Sequence, residues 1–204
     1  MAGCLLVATA WMLDPQPPPA VGAELVAGPA GPPASVAAAD AADPAPAALQ
    51  VSPTADEVAL PTILEIPRLD VYIHLGELGL DERGQLEAPE VPALPGWYAD
   101  GPRPGEHGPA VIAGHVDSHR GPAVFWRLPE LEPGDDIVVH REDGSEATFV
   151  VDRLGRWPKS AFPTDEVYRQ ADGAELRLIT CGGVFDEQAG RYLDNIVLFA
   201  RATG

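Results

Sequence analysis

The chain has 204 residues and a formal net charge of -18, with 31 acidic against 13 basic residues. That balance excludes a nucleic-acid partner gripped through its phosphates, which requires a basic stripe. The length admits one domain of ordinary size, or a domain with a tail.

The first thirteen residues, MAGCLLVATAWML, are apolar and uncharged. They fall short of the roughly 20 residues that cross a bilayer, and they lack the positive n-region of a signal peptide. Two readings stand. One is the remnant of a membrane anchor whose first half is missing. The other is a lipoprotein-like cleavage site with Cys4 as the modified residue. Either suits an extracytoplasmic domain tethered to the cell membrane. Residues 14–60 are crowded with proline and alanine: eleven of the 23 prolines precede residue 62, and no Lys or Arg appears before Arg68. Such a segment buries too little apolar surface to offset its ordering entropy, so a disordered linker is expected. Fully extended, it reaches on the order of 100 Å. Residues 61–204 carry all the basic residues and are expected to form the one compact domain.

Within that domain, short β-like runs alternate with turn signals. TILEIP (62–67) and VYIHL (71–75) come first, then PAVIAGH (109–115). DIVVH (136–140) and EATFVVDRL (146–154) flank REDG, a turn sequence suited to a hairpin. ELRLIT (175–180) and NIVLFAR (195–201) complete the set. Helix is expected only as short pieces around PAVFWRL (122–128) and TDEVYRQ (164–170), the second with Thr164 as N-cap. The pattern is that of an all-β barrel or sandwich. There is no internal repeat, phosphate loop or dinucleotide fingerprint.

Chemistry concentrates at two points. His115 follows an apolar run and Gly114, where a strand end can present a side chain. His74 and His140 end other strands and read as surface or rim residues, and His107 lies in a loop. His119 is four residues beyond His115, the spacing of a helical metal pair. GHVDSHRGP is not helical, however, and no third ligand follows, so neither metal nor cofactor is expected. Cys181 admits three readings: a small core hydrophobe, half of a bond, or a nucleophile. Cys4 lies in the tether and is a poor disulfide partner, so Cys181 is expected to be unpaired, and an unpaired thiol in an exported chain tends to be reactive. Cys181 and His115 each end a strand beside glycine. A thiolate needs a nearby base or cation, and a histidine supplies either. An acyl intermediate also needs an oxyanion donor, for which Arg191 in AGRYLDN is a candidate. Asp117 reads either as an orienting partner of His115 or as a solvated loop carboxylate.

LITC (178–181) matches the Leu-x-Thr-Cys signature of sortases, and AGH (113–115) matches their histidine motif. GWYADGPRPGEHGPAVIAGHVDS, FPTDEVY and LRLITCGGVFD…GRYLDNIVLFA resemble the class F sortases of actinobacteria, over about residues 60–202. The resemblance implies the eight-stranded closed β-barrel of that family, with one or two short helices. It also implies a membrane-anchored cysteine transpeptidase. Such an enzyme cuts a Leu-Pro-x-Thr-Gly-like sorting signal after Thr, holds the product as a thioester and passes it to an amine. Implied partners are surface proteins with a C-terminal sorting signal and an amine acceptor of peptidoglycan or its precursor. Carried over by position, Cys181 is the nucleophile, His115 the acid/base, and Thr180 a residue of the substrate cleft. The family's arginine lies on the strand after the cysteine. Arg191 falls slightly early for it, and Asn195 occupies that place if the Gly-x-aromatic stretch sets the register. A competing reading is a catalytically idle secreted β-barrel that binds a wall component or peptide. The presence of Cys, His and a downstream Arg together weighs against it. An L,D-transpeptidase-type enzyme presents His and Cys within one short motif, whereas here Cys181 lies far along the chain from His115.

Overall fold

The computed structural model describes residues 57–168 and 173–204. The expectations for the apolar start, for nearly all of the linker, and for the end of the 164–170 segment therefore lie outside the described residues. Packing begins before residue 61. Glu57 pairs with Arg103 at 2.8 Å, and Leu60 lies against the barrel core.

Among the described residues, eleven strands form in chain order. They are β1 (Pro61–Ile66), β2 (Val71–His74), β3 (Gly76–Leu78), β4 (Gly96–Tyr98), β5 (Gly108–Ala113), β6 (Asp117–Ser118), β7 (Gly121–Pro122), β8 (Asp136–Arg141), β9 (Glu146–Pro158), β10 (Ala174–Asp186) and β11 (Arg191–Ala202). Nine of them make one sheet in the order β2-β1-β8-β9-β11-β10-β5-β4-β3, while β6 and β7 pair separately. All pairings in the large sheet are antiparallel except β10 with β5 and β3 with β4. The sheet curls into a nearly closed barrel. Leu64 and Ile66 near one flank share a single buried cluster with Trp97 near the other, together with Ile112, Phe149, Leu176 and Leu198 between them. A flat sheet cannot bring those positions together. The fold is mostly β, as the sequence predicts, with nine strands in the main sheet because β3 and β4 add three residues each.

The turn between β8 and β9 shows how a short signal sets register. Gly144 adopts φ +80°, a conformation costly for a residue with a Cβ. Asp143 accepts hydrogen bonds from both the backbone N–H and the hydroxyl of Ser145. The strands then pair from His140↔Glu146 inward.

Helix is limited to α1 (Thr164–Tyr168) and three 3₁₀ turns among the described residues. The expected helix at 122–128 does not form. Its segment becomes β7, a turn, and a 3₁₀ turn at Leu128–Glu130. The backbone N–H groups of Ala123 and Phe125 donate instead to the carbonyls of Val116 and His115. This tertiary pairing takes the donors that a helix would use, and it anchors the segment that carries His115. No helix among the described residues is long and apolar enough to cross a membrane.

Three strands are buried on both faces, so they read as continuous apolar runs rather than alternating ones. On β5, β10 and β11 the residues Ile112, Leu176, Leu178 and Leu198 fill the barrel. Their neighbours Val111, Ala113, Ile179, Val197 and Phe199 point outward into a second cluster, covered by Leu78, Leu86 and by Val167 of α1. Each fully buried Leu or Ile contributes about 1.5–3 kcal/mol. That double burial makes these central strands a rigid platform for the side chains at their ends.

Candidate active site

β10 pairs with both β5 and β11, and it leaves them at different points. Its parallel ladder to β5 ends at Ile179↔Ala113, followed by a 3.0 Å hydrogen bond from the Gly114 N–H to the Ile179 carbonyl. Its antiparallel ladder to β11 continues through Cys181↔Asn195. Cys181 and His115 therefore each stand two residues beyond the last pair of adjacent parallel strands. The register brings these two positions to the same edge of the barrel.

The expectation that β10 ends at Thr180 is corrected: the strand runs on through Cys181 to Asp186. Pairing with β11 carries it past the two glycines, with a register shift between Gly182 and Phe185. Gly183 sits at φ +77° beside the Asp194 side chain.

The Cys181 side chain is fully buried in the outer cluster, on the same face as Ile179 and Val197. It is disulfide-bonded, which corrects the expectation of an unpaired thiol. The chain's other cysteine, Cys4, lies outside the described residues. A long intervening segment is a poor argument against pairing, because loop-closure entropy grows only with the logarithm of length.

His115 is held from two sides. Its carbonyl accepts the Phe125 N–H at 2.9 Å, and its ring Nε2 lies 2.7 Å from the Pro89 carbonyl. A carbonyl only accepts, so Nε2 carries a proton, and in the neutral ring Nδ1 is the basic nitrogen. Gly114, just before it, leaves room for a core ring. A Cβ there would meet Phe125 Cδ2 at 2.6 Å and Val124 Cγ1 at 2.9 Å.

Asp117 accepts a 2.5 Å hydrogen bond from the Tyr192 hydroxyl, which ties the loop after His115 to β11. Burial, and then the Asp117 carboxylate, push the Tyr192 phenol up to about 12.

The two candidates for the oxyanion donor separate clearly. Asn195 is buried and directly opposite Cys181, with its Oδ1 lacking a hydrogen-bond partner. Arg191 is exposed and pairs with Asp186, four residues earlier on β11 and so about 14 Å away along the strand. It lines a cleft of about 320 Å³ with Asp117, His119, Phe185 and Tyr192. Thr180 points to the opposite face of β10 from Cys181, with its hydroxyl buried and without a hydrogen-bond partner.

One neighbour of Cys181 escaped the sequence reading. Lys159 follows β9 in the 3₁₀ turn Lys159–Ala161, and its Nζ donates to Cys181 Sγ at 3.4 Å. Burial, and then the positive field of Arg191, depress its amine to about 8, against a smaller upward pull from Asp194. The available signal was composition: Lys159 is the chain's only lysine, all other basic residues being arginine. His140 stands apart from the site, 2.7 Å from Glu65 and 3.1 Å from Glu146. Among the described residues no group of three His, Cys, Asp or Glu side chains could hold a metal ion.

A family model described as "Sortase domain" matches residues 64–203. No curated protein matches the chain. Among solved structures, the fold is similar to sortase A from Corynebacterium diphtheriae, with a TM-score of 0.53 and 16% identity, covering 72% of this chain and 62% of that one. It is also similar to sortase C-1 from Actinomyces oris, with a TM-score of 0.53 and 17% identity, covering 71% of this chain and 75% of that one. Sortase C of Streptococcus pneumoniae aligns with a TM-score of 0.52 and 17% identity, covering 70% of this chain and 65% of that one.

Proposed function

The chain belongs to the sortase family, and on that premise we propose that it is a class F-type cysteine transpeptidase, tethered to the cell membrane and acting outside the cytoplasm. Its substrates are surface proteins with a Leu-Pro-x-Thr-Gly-like sorting signal, and its acceptor is an amine of peptidoglycan or its precursor. An external dithiol reduces the Cys181 disulfide before turnover, by thiol–disulfide exchange that oxidises the dithiol and frees both sulfurs, because the reactive species is the thiolate. The Cys181 sulfur attacks the carbonyl carbon of the signal's threonine. The tetrahedral oxyanion collapses to a thioester as the leaving amine takes a proton from His115. The acceptor amine then attacks the thioester and returns a proton to His115, and the sulfur leaves as thiolate. Asn195 and Arg191 are the two candidate donors to the oxyanion, and Thr180 the substrate-cleft residue. Asn195 is favoured by register and Arg191 by charge.

The observation that carries this reading is the matched register of His115 and Cys181, each two residues beyond the last pair of the parallel β5–β10 ladder, with Asn195 across from the cysteine. It is tested by mass spectrometry of the reduced protein after incubation with a sorting-signal peptide. A thioester on Cys181, absent in Cys181→Ala, is the expected result. A reduced, folded protein that forms no adduct and still binds the peptide is instead the catalytically idle barrel.

A further inference from the structure

The outer cluster that holds Cys181 also contains Val111, Ala113, Ile179 and Val197, with Tyr98, Trp157, Tyr168 and Tyr192 packed against it. Apolar neighbours of this kind solvate a thiolate poorly. Directly across the strand stands Asn195, which is neutral, and the nearest arginine on β11 belongs to a different register position. Among the described residues, a charged side chain that hydrogen-bonds the sulfur is Lys159, at 3.4 Å.

We propose that Lys159 is a catalytic residue of this site, whose ammonium donates to Cys181 Sγ and holds the reduced cysteine as a thiolate. The inference rests on the reading of Cys181 as the nucleophile. Several observations support it. The Lys159 side chain is only 7% exposed, although a lysine ordinarily keeps its ammonium in water. A chain with no other lysine places this one against the sulfur. The 3₁₀ turn that carries it follows β9, and β9 pairs with β11 at Trp157↔Asn195, so Asn195 lies between Cys181 and the base of that turn.

The other charges bearing on the pair are arranged asymmetrically. From β11, Arg191 repels the ammonium and Asp194 attracts it. Asp194 is shared with Arg156 of β9 at 3.4 Å, which weakens its claim on Lys159. Tyr98, Tyr168 and Tyr192 also pack against the cluster that holds Cys181, with Tyr192 bonded to Asp117, and His115 stands at this edge on the segment after β5. An ammonium destabilised by burial has most to gain from a new anion beside it. Below about pH 8 the lysine is charged even before the thiolate forms, and the thiolate in turn favours that charge. The two partners stabilise each other's ionised forms, so they titrate as a coupled pair.

The test reads thiol ionisation and requires no peptide cleavage, so it stands or falls separately from the transpeptidase reading. The reduced full chain is alkylated with iodoacetamide across pH 5–10, and modification of the Cys181 peptide is followed by mass spectrometry, which keeps Cys4 out of the signal. An opposite charge within hydrogen-bonding range shifts a pKa by about 1–3 units. Lys159→Met is therefore expected to move the midpoint of the rate profile upward by about 1–3 pH units. Lys159→Gln, which keeps length and polarity without charge, moves it the same way, and Lys159→Arg retains most of the wild-type midpoint. An unmoved midpoint in a folded Lys159→Met or Lys159→Gln protein overturns the proposal, as does a midpoint in Lys159→Arg as high as that of Lys159→Met.

Discussion

Replacing Lys159 by methionine is expected to stabilise the protein while weakening its chemistry. The amine is depressed from 10.5 to about 8, chiefly by burial and then by Arg191. At 1.36 kcal/mol per unit, the ammonium costs the folded state about 3 kcal/mol at neutral pH. Methionine also forfeits the hydrogen bond to Cys181 Sγ, which reduces the net gain to about 1–2 kcal/mol. Methionine has similar length, no charge and the flexibility to fill the same space. The expected gain at pH 7 is therefore about 1–2 kcal/mol, or about 3–8 °C in Tm for a domain of this size. The pH dependence has a defined sign. Below pH 8 the lysine is protonated in both folded and unfolded chains, so the penalty is fully present. Between pH 8 and 10.5 the unfolded chain binds the extra proton, so wild-type stability gains with pH from this group. The methionine variant's advantage thus shrinks across that window. Urea denaturation of both proteins in the same redox state, at pH 7 and pH 10, measures the difference, and ionisations common to both cancel. A variant less stable than wild type at pH 7, or an advantage that persists unchanged at pH 10, would show that burial does not penalise the Lys159 ammonium.

The oxyanion donor is identified by single-turnover kinetics on two alanine variants. Asn195→Ala or Arg191→Ala, whichever carries the role, should lower the acylation rate by about 100- to 1000-fold with little change in KM, and wild-type rates in both would eliminate both candidates. Tyr192→Phe removes a hydrogen bond to the Asp117 carboxylate, at a cost of about 1–2 kcal/mol near neutral pH. Because the folded phenol titrates at about 12 rather than 10, wild type loses this group's contribution as pH rises from 10 to 12, whereas the Phe variant shows no such loss. Gly114→Ala forces a Cβ into the fully buried Phe125 ring, so a loss of about 1–3 kcal/mol is expected together with slower acylation, because His115 is the next residue. Unchanged urea midpoint and turnover in that variant would show that the segment yields without moving His115.

Much of the barrel was legible because local chemistry and global fold agree. Asp143 and Gly144 mark the β8–β9 turn, and the apolar runs at 109–113, 175–180 and 195–200 mark the central strands. Cys181 and His115 stood out for the glycines beside them and for the motifs they complete. Their proximity was not legible: it follows from a parallel ladder between strands some 70 residues apart, as Ile179↔Ala113 shows. A propensity reading sees backbone preference one segment at a time, so it gave a helix to 122–128, where Ala123 and Phe125 instead spend their N–H groups on the His115 segment. It also ended β10 at two glycines, whereas the strand continues past them in pairing with β11 through a register shift between Gly182 and Phe185. Lys159 was visible as a lone lysine, but only the tertiary structure turns its side chain inward onto Cys181. Periodicity and turn chemistry are properties of neighbouring residues, and the sequence determines them directly. Which side chains meet across the barrel edge depends on register between distant strands, and that is decided only when the two faces of the sheet are packed.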